Sequence, residues 1–160
     1  VATFLRDEIE AGPGTIEKVQ SLMLDGKPVD DIDTALVHDG SVLALSAAMP
    51  GLVGATLRRG GAYSSFRSSI TYRETGCDSA PSEGWVRLKV FNLLMAEMGP
   101  DLLRRGVLVR TADILDLWDE EGLQAGSRSV VLDGVPVDAG KLRGVLQSAR
   151  AEELLLTVTA

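Results

Sequence analysis

Leu24–Pro50 reads LDGKPVDDIDTALVHDGSVLALSAAMP, and its turns decide the fold. Val19 to Leu24 is an apolar-rich run that leads into Asp25-Gly26, a pair that tolerates positive φ and therefore a tight turn. Pro28-Val29-Asp30 restarts an extended segment, because proline fixes its own φ and disfavours helix in the residue before it. Asp39-Gly40 marks a second turn. Ser41–Ala47 then reads as a strand in which Val42, Leu43 and Leu45 are available for packing, and Pro50-Gly51 stops it.

The opening phrase returns. Leu24-Asp25-Gly26-Lys27-Pro28-Val29-Asp30 matches Leu132-Asp133-Gly134-Val135-Pro136-Val137-Asp138 at every position but Lys27/Val135. Each copy follows an apolar run, and each precedes an apolar segment of strand type, Val42–Ala47 and Leu154–Val158. The shared context points to a duplicated supersecondary unit. The alternative is two β-turns of similar composition that arose separately, since Asp-Gly and Pro-Val are ordinary turn and strand residues. Two widely spaced copies do not make a solenoid array.

The first copy resembles the C-terminal half of the ubiquitin-like β-grasp sulfur carriers, of the type of the molybdopterin synthase small subunit and the thiamine-pathway carrier. Leu24-Asp25-Gly26-Lys27-Pro28-Val29 stands for the first turn of that pattern. Asp33-Thr34-Ala35-Leu36 with Asp39-Gly40-Ser41-Val42 stands for the second, over about 25 residues. The resemblance implies an α+β fold of two related β-grasp-like units, with a mixed sheet and packed helices. The family ends in Gly-Gly, whereas this chain continues for about a hundred residues beyond the matched stretch.

Size allows one domain or two small ones. Aromatic residues make up 4% of the 160, so Leu, Val, Ala and Ile must build the core. No apolar run is long enough to span a bilayer. The first residues, VATFLRDE, lack the basic and apolar regions of a signal peptide, and an opening Val1 reads as a processed start with upstream sequence left open. The single Cys77 excludes an intrachain disulfide and fits a reducing compartment, so a cytoplasmic location is expected. A net charge of −7 argues against general nucleic-acid affinity.

Along the chain, Ala2–Glu10 should form a short helix through Phe4, Leu5 and Ile9, ended by Gly12-Pro13-Gly14. Thr15–Leu24 is helix with Thr15 as N-cap, or strand in its second half. The first unit is expected over residues 1–75, a linker over 76–84 and the second unit over 85–160. Trp85–Asn92 alternates apolar and basic residues, which predicts a strand. Leu93–Arg105 should be helical but interrupted at Gly99-Pro100, with Pro100 opening a second short helix. Val107–Val109 reads as a strand. Thr111–Glu121 reads as a helix with Thr111 as N-cap, an apolar face of Ile114, Leu115 and Trp118, and Gly122 as its stop. Lys141–Ala149 and Glu153–Thr159 close the chain as helix and strand. Trp85 and Trp118 are expected as core or interface anchors, and Arg104-Arg105 as the basic end of a helix.

The leading candidate site is Gly51–Arg67. Gly51, Gly54, Gly60 and Gly61 expose backbone, and Arg58, Arg59 and Arg67 supply charge, the chemistry that holds phosphate or carboxylate. Gly51–Gly76 carries four arginines and one glutamate, against the acidic balance of the whole chain. Neither GxxxxGK[ST] nor GxGxxG after a strand is present. The bland reading is a basic linker. Tyr63, Phe66 and Ile70 share a helical spacing in the same region, although Ser68–Tyr72 also suits a strand. Leu57-Arg58-Arg59-Gly60-Gly61 also looks like the Leu-Arg-Gly-Gly tail of ubiquitin-like modifiers, with cleavage after Gly61 required to free it.

Asp25, Asp30, Asp31, Asp33 and Asp39 lack the spacing of an EF-hand loop and suit turn and capping roles. His38 is the only histidine, which excludes a multi-histidine metal site within one chain. It is expected solvated beside its turn, and no GxSxG motif supports a triad through it. Cys77 has no neighbouring base. No cofactor and no catalytic residue is expected. The sequence thus points first to a non-catalytic binding or assembly module that meets a protein or an anionic partner through residues 51–73. It points next to a carrier-type protein processed at Gly60-Gly61, and last to an enzyme acting on an anionic small molecule. Oligomeric state is left open.

Overall fold

The computed structural model describes residues 1–73, 83–120, 129–149 and 151–158, in a mixed α+β architecture. The described chain divides into two compact units, Val1–Leu102 and Leu103–Ala160.

In the first unit, Asp25 (φ 50°) and Gly26 (φ 78°) both take positive φ, the requirement of a type I′ turn. They join β1 (Ser21–Leu24) to β2 (Lys27–Pro28) in an antiparallel hairpin. The Asp25 carboxylate then clamps the next strand. Its Oδ1 accepts the Val42 N–H at 2.7 Å and its Oδ2 the Ser41 hydroxyl at 3.2 Å. That contact starts β3 (Val42–Ser46), which pairs antiparallel with β1 from Leu24↔Leu43 to Ser21↔Ser46. The far edge of β3 carries β4 (Arg87–Phe91) in parallel, giving a mixed sheet ordered β2-β1-β3-β4.

Leu22, Leu24, Leu43 and Leu45 are fully buried on this sheet. Leu5 of the π-helical turn Phe4–Glu8 joins them, with Val19, Val29, Leu94 and Met98. Helix α1 (Pro13–Lys18) starts from Gly12 and leaves Thr15 inside, so Thr15 is not the cap expected of it. Pro13 sits in the first turn, where its missing N–H costs nothing.

Helix α2 (Gly51–Leu57) follows Pro50, and helix α3 (Leu93–Arg105) runs unbroken through Pro100. The expected interruption is absent because burial outweighs the proline. An internal proline costs about 3 kcal/mol. Burying one Leu or Met side chain returns about 1.5–3 kcal/mol, and both Leu94 and Met98 of α3 are buried. Trp85–Leu102 therefore belongs to the first unit, through the β3–β4 pairing and this helix face, rather than opening a second one. Residues 76–82 of the linker expected over 76–84 lie outside the described residues.

The second unit pairs β5 (Val107–Arg110) antiparallel with β8 (Glu153–Leu156). The second Asp-Gly turn joins β6 (Val130–Leu132) to β7 (Val135–Val137). Asp133 (φ 49°) and Gly134 (φ 80°) reproduce the first turn, and Leu132↔Val135 takes the place of Leu24↔Lys27. Helices α4 (Thr111–Glu120) and α5 (Leu142–Ala149) supply Trp118, Leu142 and Leu146 to a small core with Ile114, Leu115 and Leu154 around it. Thr111 is the first helical residue, not a cap outside it, and its buried hydroxyl has no hydrogen-bond partner. The expected stop at Gly122 lies outside the described residues. Trp118 anchors this core, whereas Trp85 is exposed.

Leu45→Ala should cost about 2–5 kcal/mol, the range for truncating a fully buried leucine. Val131→Ala, at a position 58% exposed, should change stability by less than about 1 kcal/mol. Urea denaturation of both variants checks the contrast. Equal losses would contradict the burial described for β1–β3.

Candidate functional site

The Arg67 side chain, with the backbone bonds Arg59 N–H to the Gln20 carbonyl and Tyr72 N–H to the Pro28 carbonyl, holds residues 51–73 on the first hairpin. Gly51 (φ 76°) starts α2, and Gly54 lies so close to the preceding chain that a Cβ there would collide with the Met49 carbonyl. A 3₁₀ turn, Ser64–Arg67, packs against α2 and buries Arg67 at 4% exposure.

All five guanidinium N–H groups of Arg67 are used. Nε donates to the Thr56 carbonyl at 2.6 Å. Nη1 donates to Asp30 Oδ2 at 3.1 Å and to Thr71 Oγ1 at 2.8 Å. Nη2 donates to Asp30 Oδ1 at 2.6 Å and to the Arg58 carbonyl at 3.2 Å. Asp30 Oδ1 also accepts the Gly60 N–H at 3.0 Å, where φ is +59° and glycine is the favoured residue. Arg67 is therefore saturated by the protein itself. The carboxylate it holds belongs to Asp30, 37 residues earlier, and no donor is left for a ligand.

Burial alone would raise the Asp30 carboxyl. The Arg67 hydrogen bonds, the Gly60 N–H and the charges of Arg67 and Arg59 outweigh it and hold the group below the ordinary aspartate value.

The remaining candidates divide. Arg58 is exposed and Arg59 half-buried, with the Arg59 N–H donating to the Gln20 carbonyl at 2.7 Å. Gly60-Gly61 forms a turn in which the Gly61 N–H donates to the Arg58 carbonyl. The seven-residue α2 exposes Leu52 (73%) and Val53 (68%). Beside it the Tyr63 and Phe66 rings stack in the open, with centroids 6.0 Å apart and an interplanar angle of 19°. Phe66 is 79% exposed and Ile70 is exposed as well. Ser68–Tyr72 forms no strand, with turn over 68–70.

Within the acid cluster, Asp30 pairs with Arg67, while three others hold backbone at turns and strand starts. Asp31 accepts the Asp33 and Thr34 N–H groups, Asp25 clamps β3, and Asp39 accepts the Trp85 N–H. Among the described residues no three His, Cys, Asp or Glu side chains converge on a metal position. His38 is exposed at its turn, with its N–H on the Ser41 hydroxyl. Cys77 lies outside the described residues. Among those described, no helix is long and apolar enough to cross a membrane.

Asp30 is the site residue that sequence reasoning missed as Arg67's partner. It stood among turn aspartates, and nothing local couples it to an arginine so distant along the chain. Comparison with protein-family models, with curated proteins and with solved structures finds no match.

Asp30→Ala should cost about 2–4 kcal/mol, because it leaves the buried Arg67 charge without its carboxylate. The pH dependence has a definite sign. The depressed folded pKa of Asp30 contributes stability that is complete above the unfolded value of about pH 4 and is lost as pH falls through the folded value. Chemical denaturation across this range should show an acid-side loss that is smaller in Asp30→Ala. An unchanged profile would contradict the pairing.

Proposed function

We propose that the protein is a non-catalytic binding or assembly module whose contact surface is segment 51–73, and that its partner is a protein. The carrying observation is the open Tyr63–Phe66 stack beside exposed Leu52 and Val53, on a scaffold fixed by a saturated arginine. Large aromatic and aliphatic side chains exposed on a rigid support are the material of interface hot spots. Preorganisation lowers the entropic cost of docking. The exposed Arg58 at the rim of an acidic protein favours a partner surface that is apolar at its centre and acidic at its edge.

Two features favour this reading over its alternatives. A modifier-type role needs a free Gly-Gly tail, whereas the Gly60 N–H is bound to Asp30. An enzyme or anion-binding role through Arg67 needs free donors, and all five are engaged.

For the fold, we propose two related β-grasp-like units. Support comes from the two hairpins with matching positive-φ Asp-Gly turns and registers, and from the strand that follows each. A cytoplasmic location is part of the proposal and rests on the single cysteine.

Immobilised wild-type protein should capture a stoichiometric protein partner. Leu52→Asp and Phe66→Asp should each weaken that capture at least tenfold, whereas Leu117→Asp, at an exposed position of the second unit, should leave it unchanged. Equal capture by all four proteins would overturn the assignment of segment 51–73.

A further inference from the structure

The hairpin β1–β2 and the turn after the 3₁₀ segment border a shallow, open concavity of about 370 Å³, lined by Lys27, Ser68, Ser69, Thr71 and Arg73. The Tyr72 N–H donates to the Pro28 carbonyl at 2.8 Å, which fixes Arg73 beside the strand that carries Lys27. The Thr71 hydroxyl is committed to Arg67, accepting from Nη1 and donating to the Arg67 carbonyl. Ser68, Ser69, Lys27 and Arg73 remain to face the concavity. Neither cation forms an ion pair among the described residues, and no carboxylate among them lines the space.

We propose that this concavity binds a phosphate-type oxyanion, with Lys27 as a point charge, Arg73 as a planar fork and the two serine hydroxyls as neutral donors. Two cations and two hydroxyls around one space match a phosphate dianion in charge and in donor number. The turn that holds the serines is fixed through Thr71 and Arg67, so little ordering is needed on binding.

The internal repeat supports the assignment independently. The two hairpins share turn and register, and the only residue that distinguishes their seven-residue phrases is Lys27 against Val135. The hairpin forms with valine at that position in the second copy, so its geometry does not require the lysine. Lys27 is also the residue that lines the concavity. The site uses none of the exposed apolar residues of α2 and does not rest on the protein-binding reading.

Amide NMR titration of the full chain with inorganic phosphate and with O-phosphoserine tests it, at ionic strength matched with chloride. Saturable shifts are expected at Lys27, Ser68, Ser69 and Arg73. Lys27→Val and Arg73→Ala should each weaken binding at least tenfold, with the β1 and β3 amides unmoved as proof that the sheet is intact. Tighter binding of O-phosphoserine identifies the ligand as a phosphate ester, and equal binding identifies free phosphate. Shifts reproduced by chloride alone, or affinity in Lys27→Val within twofold of wild type, would overturn the proposal. Either result leaves the Leu52 and Phe66 capture experiment to be decided separately.

Discussion

A buried guanidinium must have its donors satisfied, and Arg67 achieves this only where Asp30, Thr56, Arg58 and Thr71 converge. The constraint works in both directions. Asp30 ends the first hairpin phrase, so the bidentate pair ties residues 51–73 to the sheet at its β2 edge. The carbonyls of Thr56 and Arg58, at the end of α2, point at the same guanidinium. Without it they would have to turn to water, and the Gly60 N–H would share an unpaired carboxylate. A segment whose large apolar side chains Leu52, Val53, Phe66 and Ile70 face outward keeps its shape through polar saturation more than through a core of its own.

The same saturation changes what the basic segment offers. Of its four arginines, Arg67 is internal and takes the charge of Asp30, Arg59 is half-buried, and Arg58 and Arg73 are exposed. The same segment exposes the apolar side chains of Leu52, Val53, Tyr63 and Phe66. The charge pattern read from sequence as one anion site thus separates into a structural pair with Asp30, a set of exposed apolar side chains and a cationic concavity shared with Lys27.

Local signals in the sequence carried most of the fold. Asp25-Gly26 and Asp133-Gly134 announced hairpins because positive φ at two successive residues is a strictly local demand. The alternation in Trp85–Asn92, realised as the strand Arg87–Phe91, and the periodicity of Ile114, Leu115 and Trp118 likewise need no tertiary knowledge. The misses are tertiary. Pro100 looked like a helix break until Leu94 and Met98 were seen buried on one face. Trp85–Leu102 looked like the start of a second unit until β4 was paired in parallel with β3, a contact no short-range pattern encodes. At the candidate site, the residue types in 51–67 were legible. Their division of labour was not, since it depends on an aspartate 37 positions before Arg67 that resembled every other turn aspartate.

Native-state amide hydrogen exchange in Asp30→Asn against wild type tests the account most directly. If the Arg67–Asp30 pair holds the segment, protection at Arg59, Gly60 and Tyr72, whose N–H groups tie the segment to Gln20, Asp30 and Pro28, falls together in the variant. The β1–β3 amides should keep theirs. Protection at those three positions that is unchanged, or that falls only at Gly60, would contradict it.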